Sequence, residues 1–375
     1  MKTTSSGAKS DERTDATRGL IERFRAMAET AIPNWRHRFP DSTPLGIYNA
    51  YVPEELFYAA GLVPVYLFHQ AVDHGHSRLH LPSFACWPGR SLVDQAVSGT
   101  LDGVAGLALS QTCDMVQALG DIWRVVMPST PLYFIGFPAH LGNRSTRPYL
   151  VAELAKLRRD LGDISDAAIY QALGIYEHTR LLVNQVYDRA EDLAPTELYS
   201  IIRAGLRSPR KTFNDLLQTL LGVLPRSCFR GPRVILVGPH LADETVYATI
   251  ETAGGRVVGD LLDVGQRYFV QPTATKDDPI VALAERMLRM VPTPTKYNPR
   301  HRRDRALVDR VTACRAHGVI FSRQKFCDPH GFDYAQLKRL LDAQGIPHLL
   351  LELEQSSQAG QIQTRVEAFF ETMAL

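Results

Sequence analysis

Arg233-Val-Ile-Leu-Val-Gly-Pro-His-Leu-Ala-Asp-Glu-Thr-Val-Tyr-Ala-Thr-Ile-Glu-Thr-Ala-Gly-Gly255 is the stretch of this 375-residue sequence that decides its fold. Val234 to Val237 is an unbroken apolar run, as expected of a buried strand, and it gives way to a helical segment through Ile250 that Gly254-Gly255 stops. Strands alternating with helices are the mark of a parallel α/β sheet. The pattern continues downstream, with strands predicted at Val257-Val258, Gly318–Ser322 and His348–Leu351. Helices are predicted at Pro279–Met290, Arg303–Ala316, Phe332–Ala343 and Gln361–Met373. Upstream the same alternation predicts strands at Leu62–Phe68, Gly103–Ser110 and Pro131–Phe137, with helices at Ser91–Ser98 and Met115–Val126.

The segments between and before these lobes read differently. From Leu150 to about Leu224 the apolar residues recur at helical spacing with no strand signal, so this is a helical connector. Gly46 to Tyr48 is a short apolar segment leading to Pro53-Glu54-Glu55-Leu56, where proline and acids suit the start of a helix that Gly61 ends. Met1–Thr17 is polar, lacks the apolar core of a signal peptide and is expected to be a frayed tail before a helix over Ala16–Thr30. The expected organisation is a tail and helix over 1–42, a first α/β lobe over 43–149, the connector over 150–230 and a second α/β lobe over 231–375.

Composition narrows the class. With 45% apolar and 22% charged residues the chain is an ordinary globular protein, and no run of about 18 apolar residues offers a membrane span. A cytoplasmic location follows as the expectation. Basic and acidic residues nearly cancel, 42 against 40, so charge gives no support to nucleic-acid binding. Five cysteines, an odd number without a secretory signal, are expected to be reduced, which leaves metal ligation, catalysis or core packing. No GxxxxGK[ST] loop is present, so no ATP site is expected in this chain.

Three cysteines stand where ligands bind in open α/β sheets, beyond the carboxyl ends of strands. Cys113 follows the Gly103–Ser110 strand and precedes a helix; Cys327 follows the Gly318–Ser322 strand, with Asp328-Pro329 expected to form the turn; Cys86 lies in a loop just before a helix. A helix amino end favours a thiolate. Three such thiolates could meet in the cleft between lobes and hold an iron–sulfur cluster with one iron left open. The spacing lacks any compact CxxC pair, and three buried packing residues fit it equally well.

The flanking residues carry an identity. Pro53-Glu-Glu-Leu-Phe-Tyr-Ala-Ala-Gly-Leu-Val-Pro-Val65, Thr112-Cys113-Asp114, Ala253-Gly-Gly-Arg-Val-Val258, Gly265-Gln-Arg-Tyr-Phe269 and Lys325-Phe-Cys-Asp-Pro-His-Gly-Phe-Asp-Tyr334 resemble the 2-hydroxyacyl-CoA dehydratase and benzoyl-CoA reductase family. The likeness runs from about Thr43 to the C-terminus. It implies two Rossmann- or flavodoxin-like lobes with a [4Fe–4S] cluster in the inter-lobe cleft, held by Cys86, Cys113 and Cys327. It also implies a CoA-thioester substrate, a related larger cluster-bearing subunit and ATP-hydrolysing iron–sulfur activator subunits fed by ferredoxin. Within the family, the chain's length and its 34 Arg against 8 Lys favour the smaller subunit of a benzoyl-CoA reductase. The alternatives are a 2-hydroxyacyl-CoA dehydratase subunit, a homodimeric reductase with a double-cubane [8Fe–9S] cluster, and a subunit serving only electron transfer or assembly.

Further candidates have plain alternatives beside them. His330 is a candidate proton donor or a turn histidine bonded to backbone; Glu55 is a candidate substrate contact or a partner of the helix dipole. His69, His74, His76 and His80 are read as an exposed loop rather than a metal site, and Cys228 and Cys314 as non-ligands.

Overall fold

The structure, a computed structural model, describes residues 5–70, 75–269, 278–354 and 359–373. Its strands are β1 (Thr43–Ile47), β2 (Leu62–Tyr66), β3 (Leu107–Ser110), β4 (Leu132–Ile135), β5 (Arg233–Gly238), β6 (Arg256–Leu262), β7 (Gly318–Gln324) and β8 (His348–Leu353). They form two four-stranded sheets, β2-β1-β3-β4 and β6-β5-β7-β8, in which every pair is parallel. The two sheets therefore share one topology. In each, the first strand lies between the second and the third, so successive crossovers leave it in opposite directions and open a crevice beyond its carboxyl end.

The connector consists of the helices Thr146–Asp160, Asp166–Tyr187, Pro195–Leu206 and Arg210–Val223. Ser165 caps the second of these, its Oγ accepting from the Ala168 amide at 3.2 Å. Apolar side chains of this connector, among them Leu173, Val183, Ile201 and Phe213, join Leu45 and Leu107 of the first sheet to Val234 and Leu236 of the second in one continuous core. Ile235, Val237, Phe321 and Leu337 form a smaller core on the other face of the second sheet. No described helix is long and apolar enough to cross a membrane.

Several elements differ from expectation. The first helix runs over Ser5–Ala28, so chain expected to be frayed is helical, even though Ser5, Ser6, Gly7, Ser10, Asp11 and Thr14 are poor helix formers. The segment around Gly46 is the strand β1, at the centre of its sheet despite Pro44 and Gly46. The helix expected from Phe332 begins at Asp328, with Pro329 inside its first turn, where a missing amide is no loss.

Candidate functional site

The crevices of the two sheets face each other across one cavity. Tyr48, Asn49 and Ala50 after β1 and Thr112 and Cys113 after β3 form one wall; Pro239 and His240 after β5 and Gln324 and Cys327 at and after the end of β7 form the other. The cavity encloses about 690 Å³ of atom-free space, the open solvent at its mouth included. Asn49 ties the first wall together. Its Nδ2 donates to the Ser110 carbonyl at 2.6 Å and to Thr112 Oγ1 at 2.9 Å, while its Oδ1 accepts from the Ser110 amide at 3.0 Å. The chain that presents Cys113 is thereby pinned to the end of β1.

Cys86, Cys113 and Cys327 all line this cavity, and each is the residue immediately before a helix: Trp87–Val97, Asp114–Val126 and Asp328–Ala343. Burial pushes the Cys86 thiol up to about 11 and the Cys327 thiol up to about 12, and it raises Cys113 as well. The amides of Gly89, of Val116 and Met115, and of His330 work the other way, each favouring a charged sulfur at its own helix start, although none closes a full cap hydrogen bond. Close helix approach brings two of the thiols to the same wall. A Cβ on Gly89 would stand 2.5 Å from Met115 Sδ and 3.7 Å from Cys86 Sγ, so the absence of a side chain at residue 89 lets Met115 of the Cys113 helix pack close beside the Cys86 helix. Phe326, just before Cys327, is held at φ 64°. Cys228 is exposed and Cys314 ends the helix Arg303–Ala313; neither lines the cavity.

The polar wall joins both lobes. His330 Nε2 lies 3.1 Å from Asp263 Oδ2, and both residues line the cavity beside Cys327. Burial alone would raise the Asp263 carboxyl, but His330, Arg267 and Arg303 outweigh it and hold it down at about 2. Tyr66 Oη is 2.9 Å from His240 Nδ1, and His240 Nε2 is 3.2 Å from His69 Nδ1. Burial lowers His240 to about 4 and lowers His69 well below its ordinary value, so both rings are neutral near pH 7. His69 is thus buried in a line of hydrogen bonds rather than part of an exposed loop, because its partner arrives from the other lobe; His74 lies outside the described residues.

Glu55 lies elsewhere. Its carboxylate is wholly buried and ion-paired with Arg180 and, at 3.1 Å, with Arg286, while Glu54 pairs with Arg210 at 2.5 Å and accepts from the Tyr268 hydroxyl. Neither glutamate lines the cysteine cavity. They bind the first lobe to the connector and the second lobe, a stronger use of buried charge than an interaction with a helix dipole.

The profile of the family described as 2-hydroxyglutaryl-CoA dehydratase, D-component, matches residues 49–373. The chain belongs to this family. It is 25% identical to the (R)-phenyllactyl-CoA dehydratase beta subunit of Clostridium sporogenes, over 88% of this chain and 91% of that one. It is equally 25% identical to one of the subunits of benzoyl-CoA reductase from Thauera aromatica (93% and 95%) and to the (R)-2-hydroxyglutaryl-CoA dehydratase beta subunit of Acidaminococcus fermentans (96% and 100%). Among solved structures, a complex of SsGBP with GDP matches at a TM-score of 0.25 and 10% identity over 89% of this chain, too slight a likeness to argue from. As a member of a family whose named relatives are dehydratase and reductase subunits, the chain is an enzyme subunit.

The donor set fits an iron–sulfur cluster of the kind this family carries. Among the described residues no three or more His, Cys, Asp or Glu side chains converge as ligands of one metal ion would. The three thiols that line the one cavity are donors of the chemical kind that holds an iron–sulfur cluster. Burial alone keeps these thiols neutral, and a bound cation would favour the thiolate form that ligation needs. Asp263, His240, Tyr66 and Asn49 were not singled out from sequence; each follows or ends a strand, the same signal that marked Cys113 and Cys327.

Proposed function

We propose that this chain is the iron–sulfur subunit of a benzoyl-CoA reductase-type enzyme, holding a [4Fe–4S] cluster on Cys86, Cys113 and Cys327 and taking electrons from an ATP-hydrolysing partner. The observation that carries the reading is the arrival of three cysteines, from both lobes and each at a helix amino end, on one cavity. Such a cluster, when bound, supplies single electrons of low potential. The chain's own residues manage space and protons. Pro88, Met115, Val116, Pro294 and Pro329 give the cavity apolar walls that exclude water and suit a flat acyl group. Tyr66 keeps its proton, since burial raises it well above its ordinary value, and the line through His240 to His69 replenishes that proton from outside the cavity. Asp263 orients His330 as a second donor.

Reduction needs proton donors, whereas dehydration also needs a free base. Among the described residues the one carboxylate lining the cavity is Asp263; His330 engages its Oδ2 while Oδ1 has no hydrogen-bond partner, and its pKa of about 2 makes it a weak base, which favours reduction. The dehydratase beta subunits among the relatives keep dehydration as the second reading. Anaerobic reconstitution should give a brown protein with about four irons per chain. A colourless, iron-free product would sink the proposal. With the ATPase partner and the related larger subunit added, benzoyl-CoA should yield a cyclic diene; conversion of phenyllactyl-CoA to an enoyl-CoA instead would establish the second reading.

A further inference from the structure

Two polar side chains of the cysteine cavity are buried and unsatisfied. Gln324 is 4% exposed and lines the cavity; its Oε1 is closed off from solvent with no hydrogen-bond partner, and the rest of its side-chain amide has none among the described residues. Tyr48 is 5% exposed and lines the same cavity. Its hydroxyl has no hydrogen-bond partner among the described residues, whereas the buried hydroxyls of Tyr51, Tyr66 and Tyr187 each have one. A buried polar group without a partner is costly, so two of them on one cavity mark where a ligand supplies the missing bonds.

The backbone brings the two to one place. Tyr48 directly follows β1, and its ring meets that of His240, from the opposite wall, edge-on at 5.9 Å. Gly238, the last residue of β5, packs directly on Ser322 of β7. Neighbouring parallel strands lie about 5 Å apart, so His240 and Gln324, each two residues further on, follow side by side. Tyr48 and Gln324 thus both stand beside His240, one from each lobe, and the Cys327 amide, donating to the Gln324 carbonyl at 3.0 Å, ties Gln324 to the cysteine turn. Burial raises the Tyr48 hydroxyl well above its ordinary value, so it stays a donor. The carboxamide adds two more donors, and a carbonyl oxygen, with two lone pairs, can accept from both groups at once. Asp263 Oδ1 is a third unpartnered atom on the cavity, but a carboxylate only accepts, so it takes an N–H, an O–H or a water and does not compete for that oxygen.

We propose that Tyr48 and Gln324 bind the carbonyl oxygen of an acyl thioester, the phenol from the first lobe and the carboxamide from the second, and that the pair selects thioesters over thioethers of the same shape. This rests on the substrate class of the reading above and names the residues that recognise it. The apolar walls alone give little such discrimination, because a methylene in place of the carbonyl packs against them as well. With the carbonyl gone, both polar groups stay buried without a partner, and the analogue binds more weakly.

The test is equilibrium dialysis, under argon, of the reconstituted full chain against benzoyl-CoA and against S-benzyl-CoA, its thioether analogue without the carbonyl. The proteins are the wild type, Tyr48→Phe, Gln324→Met and the double variant. The wild type should bind benzoyl-CoA at least about tenfold more tightly than the thioether. Each single variant should lose about fivefold in affinity for benzoyl-CoA and the double variant the whole preference, while S-benzyl-CoA binds all of them within about twofold. Iron content should be the same throughout, since neither residue is a thiol ligand. A wild type that binds the two ligands equally, variants that keep the wild-type preference, variants that lose both ligands alike, or variants that lose iron overturn the assignment. A wild type that loads iron but binds neither ligand also overturns it and leaves the cluster reading standing, whereas a chain that takes up no iron removes that reading, and this assignment with it.

Discussion

Replacing Glu55 with glutamine should destabilise the protein by about 3 to 5 kcal/mol at neutral pH, because Arg180 and Arg286 would lose a charge partner in a site closed to water. The carboxyl itself gives a second measure of the same coupling. Burial would raise its pKa, but the charges of Arg286 and Arg180 prevail and bring it from 4.5 to about 2, a difference of about 3 kcal/mol between its two forms. Arg180 and Arg286 respond differently. Burial disfavours both charges, yet Arg180 ends above its ordinary value through Glu55 and Glu177, whereas Arg286 ends below it, burdened by neighbouring Arg180. The carboxylate direction is the firmer, since both cations act on it with one sign. Because the folded pKa lies below the unfolded one, the stabilisation is complete well above pH 4.5 and fades as pH falls toward 2. About 0.8 kcal/mol is gone at pH 4 and about 1.4 kcal/mol at pH 3.5. Urea titrations of both proteins from pH 7 to pH 3.5 measure this, and Asp263, also depressed, cancels in the comparison. A Glu55→Gln variant with the wild-type midpoint at pH 7, or a deficit that does not shrink with acid, would refute the clamp. Iron uptake in that variant should match the wild type, since Glu55 is not on the cavity.

The other expectations concern the cavity. Cys327→Ser should lose most iron in an anaerobic iron assay while keeping its far-UV circular dichroism, and Cys314→Ser should keep both; equal iron loss in the two would remove the distinction. Gly89→Ala should destabilise the fold by about 1–3 kcal/mol through the clash with Met115, and it should also lower iron loading by separating the Cys86 and Cys113 helices. Pairing it with Met115→Ala should restore much of the loading; no recovery would mean that the glycine acts otherwise. His240→Asn, which breaks the line from Tyr66 to His69, should slow turnover and enlarge its solvent deuterium effect at unchanged iron content. An unaltered isotope effect would show that protons enter by another path.

Long apolar runs made most of the fold legible in sequence: Val234 to Val237 and Leu107 to Leu109 can only be interior strands, and they are wholly or almost wholly buried. β1 escaped because Pro44 and Gly46 argue against a central strand, yet each has a use there. Pro44 still offers its carbonyl to the Ala105 amide at 2.8 Å, and a Cβ on Gly46 would stand 2.8 Å from Leu67 Cδ1. The cysteines were legible as a pattern, following strands and preceding helices, while their identity as ligands came from the family likeness. The ion pairs of Glu55 are not legible in sequence, because its guanidinium partners lie 125 and 231 residues away, a distance no local rule spans. The pairs His240 with His69 and His330 with Asp263 likewise exist only once remote strand ends meet.

That dependence on docking has a thermodynamic consequence under the proposed cluster reading. Cys86 and Cys113 belong to the chain around the first sheet, and Cys327 alone comes from the second. A group bound by all three binds only the state in which the sheets face each other, so its binding energy adds to the energy holding them together. Bound a thousandfold more tightly than its free concentration requires, it adds about 4 kcal/mol. Loading iron should therefore raise the midpoint of thermal unfolding in the wild type and leave Cys327→Ser nearly unchanged. Glu55→Gln, with its clamp between the same parts weakened, should begin lower and gain as many kcal/mol on loading as the wild type. If loading instead left the wild-type midpoint unmoved, the three thiols would not be joined by one group, and the facing crevices would be held by the connector and the Glu54 and Glu55 ion pairs alone.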